Sequence, residues 1–490
     1  MTDREIAGSK APLCRPAPLL AAAAATLLAF VLYLVTLAPT VLWGDDAELQ
    51  RLAFTGGGEV GARAHPLWVA IGRQFVHLPF GDVAWRANLL SAVSAAIAVG
   101  FVFAAGWTLT RSLAGASLGA AALAVSHTFW LHAVRAEVYA LYAAFLSAVL
   151  FLLLLWRASG RDALLFAAAF LAGLALLAHP LILTALPGIA LFVAATPQAR
   201  AARAYLSAVA GFATGALPYV LWQGSGGAAA LGTSGLGVLS SISLLRPRDF
   251  ALWAGFLAYQ FWFAVPLGLL GLVQLWRRDR DAALFLTLVF LGDVAFTLAF
   301  TVPDQYVFYL PSYVVFALWI GVGLAGLARQ LARPASLRAL AALVVLAPPF
   351  VYRMTPAVLN SAGIQLLSVR RLPNRDNNTF FLYPPKNGYY GAREFGETAM
   401  RDLPANAAVL ADWLPLQTLR YLQVVEGQRP DVDLAEIYAG RGEQVQWLLA
   451  QSQARPVFIA GTGRYYDLAE IERYFRVEPF GPIYRLEQRR

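Results

Sequence analysis

Residues 19–49 read LLAAAAATLLAFVLYLVTLAPTVLWGDDAEL, an apolar run from Leu19 to Leu37 that opens within a few residues onto three carboxylates, Asp45, Asp46 and Glu48. The run is long enough to cross a bilayer, and no A-x-A cleavage site follows its apolar core. It is therefore read as an uncleaved first span rather than a signal peptide. Trp43–Leu49 (WGDDAEL) then lies where the chain leaves the membrane, opening a long loop over residues 39–86. Carboxylates grouped at such a boundary have two readings. One is a solvated loop past a helix end; the other is a catalytic base facing a lipid-borne substrate.

The composition supports the membrane reading. Of 490 residues 59% are apolar and 14% charged, with a mean hydropathy of +0.58, far from a soluble average. The formal charge of +9 would suit nucleic acid if the basic residues shared one face. They recur singly between apolar runs instead, as topogenic charges do, so no nucleic-acid partner is expected. The single cysteine, Cys14, has no internal disulfide partner and no metal-ligand spacing to a histidine.

Further apolar runs follow at Ala87–Leu109, Leu113–Leu131, Val138–Trp156, Ala163–Ala178, Leu181–Ala195, Tyr205–Trp222, Phe250–Trp276, Ala282–Val302, Tyr306–Leu327 and Leu337–Tyr352, about eleven spans in all. With the N-terminus inside, Arg111, Arg157, Arg161, Arg200, Arg203, Arg277, Arg278, Arg280, Arg329, Arg333 and Arg338 fall in inner loops. The short outer connections hold only Arg135, Arg246 and Arg248. That asymmetry is the positive-inside pattern. It places loop 39–86 and the C-terminal segment together on the extracytoplasmic side of a multi-pass cell-membrane protein with a cytoplasmic N-terminus.

Beyond Tyr352 the runs shorten to strand length. AAVLAD (Ala407–Asp412) and PVFIAG (Pro456–Gly461) read as buried strands; Leu416–Val425, Glu443–Leu449 and Leu468–Phe475 have helical spacing. The alternation predicts a small α/β domain with a partly parallel sheet. The expected division is a transmembrane domain, 1–353, and an extracytoplasmic α/β domain, 354–490. Gly224–Gly237 is glycine-rich but lacks the Lys-Ser/Thr of a P-loop, and reads as a linker.

Charges beside the spans are costly unless paired or functional. Arg135 and Glu137 stand in VRAEVYAL, where either a salt bridge that fixes helix packing or a site role is open. Arg86 begins the second span. His65 and His179, the latter before Pro180, complete the polar residues of interest. No H-E-x-x-H or related spacing occurs, so no metal site and no cofactor are predicted.

FGDVAWRANLLSAV (80–93), HTFWLHAVRAEVYALYAAF (127–145), LAGLALLAHPLILTALP (171–187), YVFYLPSYVVFALWIGVGLA (306–325) and LADWLPLQTLRYLQVVEGQRPDV (410–432) resemble protein O-mannosyltransferase-like membrane proteins of the GT-C glycosyltransferase superfamily. The resemblance covers most of the chain and implies a GT-C-like α-helical polytopic fold. That family's G-D-x-x-E-L pattern matches Gly44, Asp45, Glu48 and Leu49, with Asp46 at a variable position. An acidic residue of the first outer loop serves as catalytic base in the superfamily, which points to Asp45, then Glu48, with Glu137 third. The family's H-P-P-G-Y-P-L reads GARAHPLW here (61–68), so His65 aligns with either the His or the Tyr of that pattern.

The implied reaction moves a sugar, mannose among the candidates, from a polyprenyl-phosphate donor to a hydroxyl on a protein, lipid or glycan acceptor. A hydroxyl is a weak nucleophile, so a carboxylate must take its proton. The leaving phosphate is already ionised and needs cations rather than an acid. Arg86 and Arg135 are the candidates for that contact, and His65 and His179 are further substrate-binding candidates. A single displacement inverts the anomeric centre. The rival readings are a transporter or lipid flippase, whose buried charges would line a path, and a non-catalytic assembly subunit. Asp46, a charge in an open loop, is expected to be solvated and screened.

Overall fold

The structure is a computed structural model that describes residues 16–57, 65–197, 202–224, 242–243, 245–331, 334–365, 370–440 and 442–489. Cys14, the N-terminal Arg4, Lys10 and Arg15, the inner-loop Arg200 and Arg333, and nearly all of the Gly224–Gly237 linker lie outside them.

The membrane part runs α1 (Pro16–Val35), α2 (Asp45–Thr55), α3 (Pro66–Val76), α4 (Val83–Thr110), α5 (Leu113–Ala124), α6 (His127–Ala133), α7 (Tyr139–Ser159), α8 (Asp162–Leu174), α9 (Leu186–Ala195), α10 (Ala202–Gly224), α11 (Pro247–Phe261), α12 (Val265–Arg278), α13 (Arg280–Ala299), α14 (Gln305–Phe308), α15 (Leu310–Gln330) and α16 (Pro334–Ser361). Among the described residues eight helices are long and apolar enough to cross a membrane, nine if the pair α5–α6, bent by 67°, counts as one span. Shorter apolar helices, Asp162–Leu177 and Leu186–Ala195, flank the break at His179-Pro180, where proline cannot continue the helix. Each expected apolar run thus has its helix or broken helix pair.

Burial sorts these helices. α15 has 94% of its apolar window buried and α7 83%, whereas α1 and α16 have 17% each, so the former are the centre and the latter face lipid. Small residues let the central helices approach. A Cβ on Gly119 of α5 would lie 2.7 Å from the Ala317 carbonyl of α15, closer than any side chain tolerates, which is how membrane helices gain packing without a hydrophobic driving force. α4 starts cleanly because Asp82 accepts from the N–H groups of Ala84 (2.7 Å) and Trp85 (3.2 Å).

Residues 39–86, predicted as a loop, contain two helices, α2 and α3. The three carboxylates fall in the first turn of α2, where they complement the helix dipole, and Pro66 opens α3. The segment is short of apolar periodicity in α2, which is why it read as a loop.

The C-terminal part continues α17 (Asn377–Leu382), α18 (Gly391–Asp402), β1 (Ala408–Leu410), α19 (Trp413–Val425), β2 (Asp433–Ala435), α20 (Glu443–Ser452), β3 (Val457–Ile459), α21 (Leu468–Tyr474), β4 (Phe475–Phe480) and β5 (Ile483–Gln488). The sheet order is β2-β1-β3-β5-β4; β1 pairs in parallel with β2 and β3, and β5 pairs antiparallel with β3 and β4. α16 runs on to Ser361, past residue 353. Val41, Trp43, Ala47 and Ala84 share one buried cluster with Phe395, Leu416, Leu419 and Tyr421. Loop 39–86 and the C-terminal domain therefore form a single packed body on one face of the helices.

Candidate active site

α2 begins with Gly44 at φ +61°, a conformation that L side chains resist. The turn sends consecutive carboxylates in different directions. Asp45 is exposed, while Asp46 is fully buried and Glu48 is 4% exposed. The Asp45 Oδ1 accepts a hydrogen bond from the Trp413 indole N–H at 2.7 Å.

Asp46 meets Arg135, which lies between α6 and α7. Nε donates to Oδ1 at 2.9 Å and Nη2 to Oδ2 at 2.7 Å, and the same Nη2 donates to Glu137 Oε1 at 2.8 Å. The expectation of a solvated, screened Asp46 is thereby corrected: helix α2 turns it inward, onto the guanidinium of Arg135. Two carboxylates share one cation in a dry setting. Burial pushes Asp46 up to about 6 against the pull of Arg135, and burial likewise raises Glu137, with Asp46 adding repulsion. Below them Gln50 donates to Asn88 (2.9 Å), which donates to the Ala38 carbonyl (3.0 Å), tying α2 to α4.

The segment after α16 brings further cations. The Phe380 ring lies 5.3 Å from Arg375, 5.3 Å from Lys386 Nζ and 5.9 Å from Arg135, within cation–π range. Lys386 is 2% exposed and donates to the carbonyls of Tyr383 (2.5 Å) and Pro384 (3.2 Å). Burial, then repulsion from Arg135, lowers its amine far below the ordinary lysine range. Arg375 donates to Asn377 and to the Arg370 carbonyl; burial, with repulsion from Arg135 and Arg370 in the same direction, draws it down to about 10. Neither cation appeared among the sequence candidates. The signal was there in LYPPKNGYYGAREF (382–395), a lysine set in an aromatic and proline-rich stretch.

The other candidates fall around this centre. Arg86 donates to the backbone carbonyls of Leu78 and Asp82, closing the α3–α4 corner. His65 Nδ1 donates to the Ala178 carbonyl at 3.0 Å, and burial lowers its basicity. Its ring stacks on His179 at 5.5 Å, which in turn sits 5.3 Å from the ring of Tyr139, two residues past Glu137. The two histidines thus join each other beside the acid group, one from each side of 113 residues of chain.

Residues 60–202 match the family domain described as "Protein O-mannosyl-transferase TMEM260 N-terminal domain". Mouse (Mus musculus) protein O-mannosyl-transferase TMEM260 is 32% identical over 113 residues, 22% of this chain and 16% of that protein, so the chain spans a small part of that relative's length. In shape the chain is similar to ArnT from Cupriavidus metallidurans, solved with undecaprenyl phosphate bound (TM-score 0.60, 15% identity, covering 95% of this chain and 97% of that one) and in the apo state (TM-score 0.59, 16% identity, 95% and 96%). The fold is GT-C-like. An oligosaccharyltransferase from Archaeoglobus fulgidus shares the GT-C architecture as well (TM-score 0.56, 13% identity, 94% of this chain and 73% of that one). With this fold and its apolar helices the chain is a multi-pass membrane protein, and the match to the family domain takes in His65, Arg86, Arg135, Glu137 and His179 while starting after the carboxylates of α2.

Proposed function

We propose that this protein is an integral-membrane glycosyltransferase that moves a sugar from a polyprenyl-phosphate donor to a hydroxyl acceptor, with Asp45 as the general base. The observation that carries the reading is the division of labour among the carboxylates. Asp46 and Glu137 are tied to Arg135, whereas Asp45, one residue away, is exposed beside them. A base must reach the acceptor proton, and the exposure of Asp45 supports it in that role.

In the proposed step the acceptor hydroxyl gives its proton to Asp45 as its oxygen attacks the anomeric carbon. The bond from that carbon to the phosphate oxygen breaks, the lipid phosphate leaves as an anion, and configuration inverts. Arg375 and Lys386, with Arg135 behind them, stabilise that anion, while Asp46 and Glu137 hold Arg135 in place. The mouse relative's name supports mannose and a protein hydroxyl, and the lipid in one ArnT structure supports a polyprenyl-phosphate carrier. The basic inner loops support an extracytoplasmic site. The test is sugar transfer from polyprenyl-phosphate mannose to a serine- and threonine-rich peptide in membranes holding Asp45→Asn. Turnover should fall about a hundred- to ten-thousandfold with donor binding retained; near-normal turnover would move the base to Glu48 or Glu137.

A further inference from the structure

Helix α19 of the C-terminal domain grips the α2 turn at three consecutive points. Thr418 Oγ1 donates to the Leu42 carbonyl at 3.1 Å, Gly44 N–H donates to the Leu414 carbonyl at 3.3 Å, and the Trp413 indole donates to Asp45 at 2.7 Å. The start of α19 is itself fixed. Asp412, just before it, accepts from the Tyr466 hydroxyl at 2.7 Å, gives its own N–H to that hydroxyl at 3.1 Å, and pairs with Arg370. The indole therefore stands on a rigid base formed by the ends of β1 and the segment after β3.

An indole has a single donor and no acceptor. It can engage only one oxygen of a carboxylate, here Oδ1 of Asp45, a residue that is itself exposed. We propose that Trp413 is a positioning residue for Asp45, so that the C-terminal domain supplies a working part of the transfer site rather than a separate binding module. This rests on Asp45 being the base. An exposed carboxylate samples several rotamers, and the indole bond selects among them the one that presents the carboxylate to the acceptor hydroxyl. Small misplacement of a reacting group costs up to about a hundredfold in rate.

The experiment uses the full-length protein in membranes with polyprenyl-phosphate mannose and the same peptide. Trp413→Phe keeps a ring and deletes the N–H. It should lower kcat about ten- to a hundredfold while the KM values for donor and peptide stay within about twofold. Replacement of Trp413 by benzothienylalanine, whose sulfur takes the place of the N–H without changing the ring's shape, should reproduce the loss at an unchanged melting temperature, and this settles the matter should the phenylalanine variant fold poorly. Wild-type kcat in the benzothienylalanine protein would overturn the proposal, as would a loss confined to KM. An active Asp45→Asn would instead sink the base assignment, a separate outcome.

Discussion

Arg135 and Asp46 face each other as a planar fork, with hydrogen bonds of 2.9 and 2.7 Å across 89 residues of chain. Arg135 is 9% exposed and Asp46 fully buried. The pair joins the start of α2 to the α6–α7 corner, and the second carboxylate, Glu137, completes it. Removing the guanidinium would leave two buried acids facing one another. Arg135→Ala should therefore destabilise the folded protein by about 3–5 kcal/mol, read as a lowered melting temperature in detergent. A variant that melts like wild type but loses donor affinity would show that Arg135 serves the phosphate alone.

Asp46 gives a pH dependence of definite sign. Its carboxyl moves from 3.8 to about 6 on folding, because burial opposes the charge more than Arg135, shared with Glu137, supports it. Between those values the folded chain holds more protons than the unfolded one. The stability Asp46 contributes is thus greatest below the ordinary carboxylate range and is lost as the pH rises through about 6. From pH 4 to 7 the melting temperature of wild type should therefore fall relative to that of Asp46→Asn, which has no carboxyl there to titrate. A difference that stays constant over that range would mean that Asp46 is ionised throughout.

Gly44 is a third test. A Cβ there would meet Leu414 Cδ2 at 2.5 Å, on a backbone at φ +61°. The leucine tip can shift, but the backbone strain remains, about 1–3 kcal/mol. Gly44→Ala should lower the melting temperature and reduce transfer more than a Leu414→Ala change does, since only the former displaces Asp45. Equal effects would assign the constraint to packing alone.

Much of this was legible in the sequence, for local reasons. The spans announce themselves by length, the loops by their arginines, and AAVLAD and PVFIAG by continuous apolar runs that become β1 and β3. WGDDAEL marked the candidate site because carboxylates are scarce in such a chain. The partners were not legible. Nothing local tells Asp46 that its cation is residue 135, or Asp45 that its indole is residue 413; both are products of packing. β2 is three residues long and half-buried, and β4 carries charge and a proline in FRVEPF, so neither shows a buried run. The helices of loop 39–86 were hidden because α2 gains its stability from the bodies packed on it rather than from its own periodicity.

The cations around Phe380 provide the last prediction. Like charges packed on one ring repel, and Arg375 and Lys386 are held by amide and carbonyl groups rather than by carboxylates. An arriving phosphate would relieve that repulsion and favour the charged form of the Lys386 amine, so donor binding should depend on both. Arg375→Gln and Lys386→Met keep most of the side-chain volume while deleting the charge. Each should weaken binding of polyprenyl phosphate about ten- to a hundredfold, the scale of one charge-assisted contact at roughly 1.5–3 kcal/mol. Binding of the uncharged polyprenol should be unchanged, which separates phosphate recognition from a damaged lipid groove. The competing outcome is specific: variants that bind both lipids normally but melt early would make these cations a brace for the segment after α16. In that case the phosphate contact would pass to Arg86, whose guanidinium would have to leave the Leu78 and Asp82 carbonyls, and Arg86→Gln would then carry the loss of polyprenyl phosphate binding.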